Sequence, residues 1–401
     1  MDCKKIKQAV MLAGGMGTRL KPFTDEHPKP MYRFQDKPFI EYLIKQIKGF
    51  GIEQIILLLG YKAEEILEYL GDGSTFGIDI EYSVTPVEYD TGNRLWTIKE
   101  MLQEEFLLMY CDNYCPIDFK QLCNDFYNHN SDIQITAYAN KDSYTKSNLR
   151  IEQNGKVTCY DKKRLIDNLQ GVDIGYALIR KSVLTCLDGH TKEIVNFEKV
   201  AYPIAVEKQK MYATVTEHRY YSIGSWERIE LTEKFFANYK TVFLDRDGTL
   251  NKRAPKACYI ETPDEFEWLD GAKEAVRMLK EAGYRLILVS NQPGIARGKL
   301  SEKTLQEIHE KMQNELKQET GYELDGIYYC PHNWDEGCEC RKPKPGLLYQ
   351  AQKDYSINLR ESILIGDDER DIAAGKAAGC ECYQVTERVS LLQIVKEIVG
   401  K

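Results

Sequence analysis

Three groups of residues in this 401-residue chain have types and spacings that could do chemistry. The first is Ala13-Gly14-Gly15-Met16-Gly17-Thr18-Arg19-Leu20, with Lys29-Pro30 shortly after. Gly14, Gly15 and Gly17 would let the backbone approach a phosphate closely and turn several N–H groups toward it. Arg19 adds a permanent cation with a fork of donors suited to phosphate oxygens, and Lys29 adds a second cation on a stiffened turn. The second group is Asp245-Arg246-Asp247-Gly248-Thr249. One carboxylate there could attack phosphorus and form an aspartyl-phosphate, while the other carries the proton to and from the leaving oxygen. The third is Cys330, His332, Cys338 and Cys340, three thiols and one imidazole within eleven residues. Such a Cys₃His set closes a tetrahedral zinc site without water, which makes it structural and pins the loop that continues into Arg341 and Lys342.

Each group needs a strand to hold it. Short apolar runs at Ala9–Leu12, Gln54–Leu59, Phe106–Tyr110 and Ile133–Ala137 alternate with helical patterns such as Phe39–Gly49, as in a parallel α/β protein. A second set starts abruptly at Thr241–Leu244 and continues with Arg285–Val289 and Ser362–Ile365. Each run ends in a polar or glycine-rich turn, where open α/β sheets place their ligands. Two fresh starts predict two domains, 1–238 and 239–401, divided near Asn238–Lys240 after a helix over Trp226–Ala237. The length fits two full cores.

Composition excludes several classes. With 43% hydrophobic and 29% charged residues the chain is globular, not disordered. A net charge of -8 argues against broad binding to nucleic acid or an anionic membrane. No segment has the ~18 apolar residues that span a bilayer. The start MDCKKIKQAVMLAGG turns into glycines where an export signal would stay apolar, so it reads as a strand. The remaining cysteines are scattered like reduced core residues, and a cytoplasmic location is expected. Bland readings apply elsewhere. Trp334 is expected to cover the cysteine loop, Met11 and Met31 to pack, and Glu302–Glu319 to form a solvated helix face. His27, His129, His190 and His218 have no partners suggesting catalysis.

The run LAGGMGTRLKPFTDEHPKPM resembles the signature of the sugar-1-phosphate nucleotidyltransferases, which implies a Rossmann-like, GT-A-like first domain. By that resemblance Arg19 and Lys29 bind the nucleotide's phosphates and Asp112, in LLMYCDNY, binds Mg²⁺. Asp161-Lys162 resembles the family's Glu-Lys, whose lysine contacts the sugar phosphate. Val172–Tyr176 and Asn196-Phe197-Glu198-Lys199 resemble its sugar-binding segments, with Glu198 as the contact. Two departures stand out. Cys111 replaces the usual glycine before the aspartate, and Ser222 stands where the family has a second metal-binding aspartate. Either one metal ligand suffices, another acid substitutes, or the domain is slow or inactive. Tyr89–Asn93 only loosely matches the base-selecting Leu-Gly-Thr-Ala-Gly.

Asp245–Thr249, Ser290-Asn291-Gln292, Lys342 and Gly366-Asp367-Asp368, in that order, resemble the haloacid dehalogenase superfamily. That resemblance implies a Rossmannoid phosphatase fold with a zinc loop. DRDGTLN, Tyr259-Ile260, VSNQPGIARG and CRKPKPG look like the branch acting on histidinol phosphate and heptose bisphosphate. The match makes Asp245 the nucleophile and Asp247 the acid/base, with Ser290 and Lys342 on the phosphoryl oxygens. Asp245, Asp367 and the Asp247 carbonyl would hold Mg²⁺. Arg341 would contact the rest of the substrate, and Asn291 and Gln292 would line the pocket. Together the two resemblances imply that a heptose bisphosphate is dephosphorylated at position 7 and its anomeric phosphate coupled to a nucleotide, with GTP as the triphosphate. The partners expected are these small molecules, with neither nucleic acid nor membrane; the oligomeric state is left open. A histidinol-phosphate-type phosphatase and a non-catalytic, nucleotide-binding first domain are the alternatives.

Overall fold

The computed structural model describes residues 5–189, 193–237, 239–255 and 258–400, so the expectation for His190 lies outside the described residues. The chain divides into two compact units, Met1–Phe236 and Ala237–Lys401.

The first unit is built on a seven-stranded sheet. In chain order its strands are β1 (Gln8–Leu12), β2 (Gln54–Leu59), β3 (Asp79–Val84), β4 (Glu105–Tyr110), β5 (Ile133–Tyr138), β6 (Val172–Arg180) and β7 (Met211–Thr216), arranged β7-β5-β6-β4-β1-β2-β3. The apolar runs of β1, β2 and β4 are continuous because helices cover both faces. Side chains alternate between two cores. Met11, Leu57 and Met109 enter one, and Val10, Ile56 and Leu108 enter the other. The helix Phe39–Gly49 buries Phe39, Ile40, Leu43, Ile44 and Ile47, the stripe expected of period 3.6. The parallel pattern has one exception: β6 runs antiparallel to both of its neighbours. Its register shifts between Asp173 and Ala177, and Gly175 there has φ +80°. Leu12 pairs with Tyr110, so the glycine loop after β1 and Cys111-Asp112 after β4 emerge side by side.

The second unit has a fully parallel five-stranded sheet. Its strands β8 (Thr241–Leu244), β9 (Arg285–Asn291), β10 (Gly326–Cys330), β11 (Ile363–Gly366) and β12 (Glu381–Gln384) lie in the order β10-β9-β8-β11-β12. Leu244 pairs with Leu288 on one side and Ile365 on the other. Asp245, Ser290 and Asp367 therefore leave the sheet at one end. Asn291 pairs with Cys330, which starts the cysteine loop against the same edge. The helix Glu302–Thr320 is solvated on one side but buries Leu305, Ile308, His309, Met312 and Leu316 on the other. No helix among the described residues is long and apolar enough to cross a membrane.

Candidate active sites

The glycine loop opens a cavity of about 360 Å³ in the first unit, lined by Gly14, Gly15, Gly17, Arg19, Lys29 and Asp112 among others. Lys29 Nζ donates to Asp112 Oδ2 at 2.9 Å. Ser222 pairs with Asn113, and Ile223 N–H donates to the Asp112 carbonyl at 3.0 Å, so Ser222 stands beside Asp112. Its hydroxyl accepts the Gly224 N–H at 3.0 Å. Asp90 is a second carboxylate on the cavity wall, and its Oδ1 accepts from Thr91 N–H at 2.7 Å and from Asn196 Nδ2 at 3.0 Å.

Tyr110 lines that cavity and donates its hydroxyl to Glu198, which is ion-paired with Lys162. Lys162 also donates to Asn196 Oδ1 at 2.9 Å. Burial holds Lys162 below the usual lysine range and pushes Asp173 up to about 6. The structure thus gathers Lys162 with Asn196 and Glu198, from two segments, into one polar network, and Tyr110 links it to the cavity of the glycine loop.

In the second unit a cavity of about 350 Å³ exposes Asp245, Asp247, Ser290, Arg341 and Lys342. Lys342 is buried and donates to Asp245 Oδ1 at 2.5 Å and the Val289 carbonyl at 2.7 Å, and it pairs with Asp371 Oδ1 at 2.6 Å. Burial alone would strip its proton, but the two carboxylates outweigh that and raise its pKa. Burial also raises Asp245 to about 7, against the pull of Lys342. Asp247 differs. Burial would raise it as well, but Arg246 and the amides of Asn251 and Gln292 hold it below the usual carboxylate range. Arg246 itself is 1% exposed and contacts His309 Nε2 at 3.4 Å.

Asn291 clamps the Lys342 backbone reciprocally, with both hydrogen bonds at 3.0 Å. Gln292 Nε2 donates to Asp247 at 2.9 Å and to Ser290 Oγ at 2.7 Å. Both line the cavity, but their amides are engaged by Lys342, Asp247 and Ser290. Arg341 donates to the His332 carbonyl at 3.2 Å.

Oxygens of Asp245, Asp367 and Asp371 lie within 4.8 Å of one another, a hard-donor set of the kind Mg²⁺ takes. Asp367 Oδ1 is buried without a hydrogen-bond partner among the described residues. Its Oδ2 pairs with Arg253 Nε at 2.6 Å, and the same nitrogen donates to the Asp247 carbonyl at 3.2 Å. Burial raises Asp367 to about 6. Gly248, with φ +95°, lets Asp367 reach this position: a Cβ there would lie 1.8 Å from Asp367 Oδ2.

The cysteine loop converges. Cys330 Sγ lies 3.6 Å from Cys338 Sγ and 3.5 Å from His332 Nδ1, while Cys340 Sγ lies 3.5 Å from Cys338 Sγ and 3.2 Å from His332 Nδ1. A tetrahedral zinc with bonds of about 2.3 Å to sulfur and 2.0 Å to nitrogen requires edges of about 3.8 and 3.5 Å. The donor set fits that ion. Trp334 does not cover it, being 71% exposed; the short polar loop leaves it no apolar surface to fold onto.

Arg94, Tyr110, Arg253, His309 and Asp371 carry no signal in the sequence reading. Only Asp371 had one available, an acid four residues past Asp367 in the first turn of the helix Glu369–Ala378. The other bland readings divide. Met11 and Met31 are buried, His27 is exposed beside Glu65, His129 stacks on Tyr212 and His218 is buried. Cys258, by contrast with the core cysteines, is exposed at the cavity.

A carboxylate held by a buried lysine at the end of a parallel sheet, beside further acids, marks a Mg²⁺-assisted phosphatase. A glycine loop with Arg19, Lys29 and Asp112 marks a nucleotidyltransferase. The chain belongs to the nucleotidyl transferase family, whose profile matches residues 8–227, and to the haloacid dehalogenase-like hydrolases, whose profile matches residues 185–379. Over 145 residues, 35% of this chain, it is 46% identical to D-glycero-beta-D-manno-heptose-1,7-bisphosphate 7-phosphatase of Pasteurella multocida and covers 77% of that protein. It is 40% identical over 154 residues, 36% of this chain, to the alpha-heptose counterpart of Photorhabdus laumondii, covering 82% of it. In the first unit it shares its fold with a structure from Bacillus anthracis described as a glucose-1-phosphate thymidylyltransferase. That match has a TM-score of 0.51 and 16% identity, over 58% of this chain and 96% of the other.

Proposed function

We infer that the chain carries out two steps of sugar-nucleotide synthesis. The second unit removes the 7-phosphate of D-glycero-D-manno-heptose 1,7-bisphosphate. The first transfers a guanylyl group from GTP to the resulting heptose 1-phosphate and releases pyrophosphate. The observation that carries this reading is Asp245 in the grip of Lys342, in a unit 46% identical to a heptose bisphosphate 7-phosphatase.

In the phosphatase, Asp245 attacks phosphorus and the sugar oxygen leaves with a proton from Asp247. Asp247 then deprotonates the water that opens the aspartyl-phosphate. The hydrogen bonds from Arg246, Asn251 and Gln292 favour the anionic form of Asp247 that the second half needs, and oppose the protonated form that the first half uses. Ser290 and Lys342 hold the phosphoryl oxygens, and Asn291 and Asp371 fix Lys342. Asp245, the Asp247 carbonyl and Asp367 would hold Mg²⁺, which would neutralise charge on those oxygens. Arg341 contacts the rest of the substrate. Cys330, His332, Cys338 and Cys340 would hold zinc, which would fix the backbone that delivers Arg341 and Lys342.

In the transferase, the glycine loop, Arg19 and Lys29 hold the triphosphate, and Asp112 would hold Mg²⁺ there. Lys162 and Glu198 hold the sugar phosphate, whose oxygen attacks the α-phosphorus. The domain boundary falls near Phe236–Ala237, and both domains act in the cytoplasm, where thiols stay reduced.

Full-length protein given heptose 1,7-bisphosphate and GTP yields inorganic phosphate first and pyrophosphate after a lag, followed by phosphorus NMR. Asp245→Asn abolishes phosphate release with the fold intact. Loss of the anomeric phosphate first, or far faster hydrolysis of histidinol phosphate, overturns the pathway. Ser222 favours a second reading, in which the first unit binds nucleotide without turnover and regulates the phosphatase. The absence of pyrophosphate with every triphosphate, together with a nucleotide-dependent phosphatase rate, selects it.

A further inference from the structure

Arg94 is 4% exposed, yet it lines the cavity of the first unit. Its guanidinium has no carboxylate among its hydrogen-bond partners. Nε donates to the Tyr89 carbonyl at 3.1 Å. Nη1 donates to the Leu59 carbonyl and to Thr85 Oγ1, both at 2.5 Å. Nη2 donates to the carbonyls of Gly14 at 3.2 Å and Pro86 at 3.0 Å. A buried charge is costly unless fully hydrogen-bonded, and among the described residues neutral oxygens supply every one of these hydrogen bonds, with the Asp90 charge supporting the cation from nearby. Two glycines make the room. A Cβ on Gly14 would lie 2.3 Å from Arg94 Cζ, and one on Gly60 would lie 2.6 Å from Nη2.

Besides the Leu59 carbonyl, the partners fall into two sets. Gly14 belongs to the loop that, with Arg19 and Lys29, would face the triphosphate. Thr85, Pro86 and Tyr89 belong to the segment that leads into Tyr89–Thr91, which also lines the cavity. Once the cations take the phosphates, the base has that wall to rest on. We propose that Arg94 is the positioning residue of the nucleotide cleft: it locks the wall that meets the base to the loop that meets the phosphates, and so sets which base is accepted. All five of its N–H groups are occupied, so it acts through this geometry and through its charge, not by touching the nucleotide. The inference rests on the reading of this cavity as a nucleotide site.

The test measures binding of ATP, CTP, GTP and UTP to full-length wild type and to Arg94→Lys by titration calorimetry. Lysine keeps the charge but cannot bridge Gly14 and Tyr89 with one nitrogen. The preferred triphosphate should lose affinity about tenfold or more, and the spread among the four bases should narrow, because specificity is a difference of affinities. The phosphatase kcat should be unchanged. A uniform loss with the base preference preserved, or no change, overturns the proposal. Failure of wild type to bind any triphosphate would instead overturn the reading of the cavity. If Arg94→Lys unfolds the first unit, Gly60→Ala takes its place, since its methyl must push the guanidinium aside, and it should narrow the base preference in the same way.

Discussion

Gly248→Ala is the sharpest perturbation the second unit offers. The new methyl would sit 1.8 Å from Asp367 Oδ2, 2.5 Å from its Cγ and 2.7 Å from Arg253 Nε. To restore an ordinary contact near 3.4 Å the carboxylate must retreat by about 1.6 Å. Positive φ adds about 1–2 kcal/mol of backbone cost. A displacement near 1 Å in a catalytic group can cost about 100-fold in rate, so kcat should fall by about that factor. The Mg²⁺ concentration for half-maximal activity should rise. Gly283→Ala is the matched control: its φ is +81°, and nothing lies within 4 Å of a Cβ there. It should lower stability by a similar amount and leave phosphate release and Mg²⁺ dependence alone. Steady-state phosphatase assays across Mg²⁺ concentrations, with thermal melts of both variants, make the comparison. Equal activity in the two variants would refute the claim that Asp367 must approach Gly248 for catalysis.

Zinc should be found at about one per chain by elemental analysis. Cys338→Ser should lower the melting temperature of the second unit and its phosphatase rate while leaving pyrophosphate release untouched. His309 supplies a pH test. Burial, with Arg246 alongside, lowers its pKa from 6.5 to about 3, so its contribution is full above pH 6.5 and drains away as pH falls toward 3. Between pH 7 and pH 5 the stability advantage of wild type over His309→Gln should shrink by about 2 kcal/mol, read from denaturant unfolding of the second unit. In the transferase, Arg19→Ala should remove pyrophosphate release with the phosphatase unaffected. If wild type proves slow, Ser222→Asp should speed it by restoring a carboxylate beside Asp112.

Strands were legible where apolar runs end in chemistry. Gln54–Leu59 and Thr241–Leu244 match their elements residue for residue because they are apolar after the first residue, and Phe39–Gly49 does so because its apolar residues recur at the helical period. β6 was not read as a strand, since Asp173 and Gly175 interrupt it at the register shift. The candidate sites divide in the same way. Asp245, Asp247 and the cysteine set stand close in sequence, so local spacing marks them. Arg94 and His309 take their places from contacts with distant segments that nothing in their own neighbourhood announces, whereas Asp371 had a local mark, an acid four residues past Asp367. Trp334 shows the opposite error, a large aromatic given a task that the loop around it does not provide.

The shared volume of Gly14, Gly60 and Arg94 also orders the ways this cleft can change over generations. While the guanidinium is in place, neither glycine can acquire a side chain without collision. Once position 94 shrinks, Gly14 loses the atoms that excluded a Cβ, whereas Gly60 still faces the Gly14 carbonyl at 2.8 Å. The permitted sequence of steps therefore runs through Arg94 first, and lineages that have taken it should be the ones in which position 14 wanders while position 60 stays glycine.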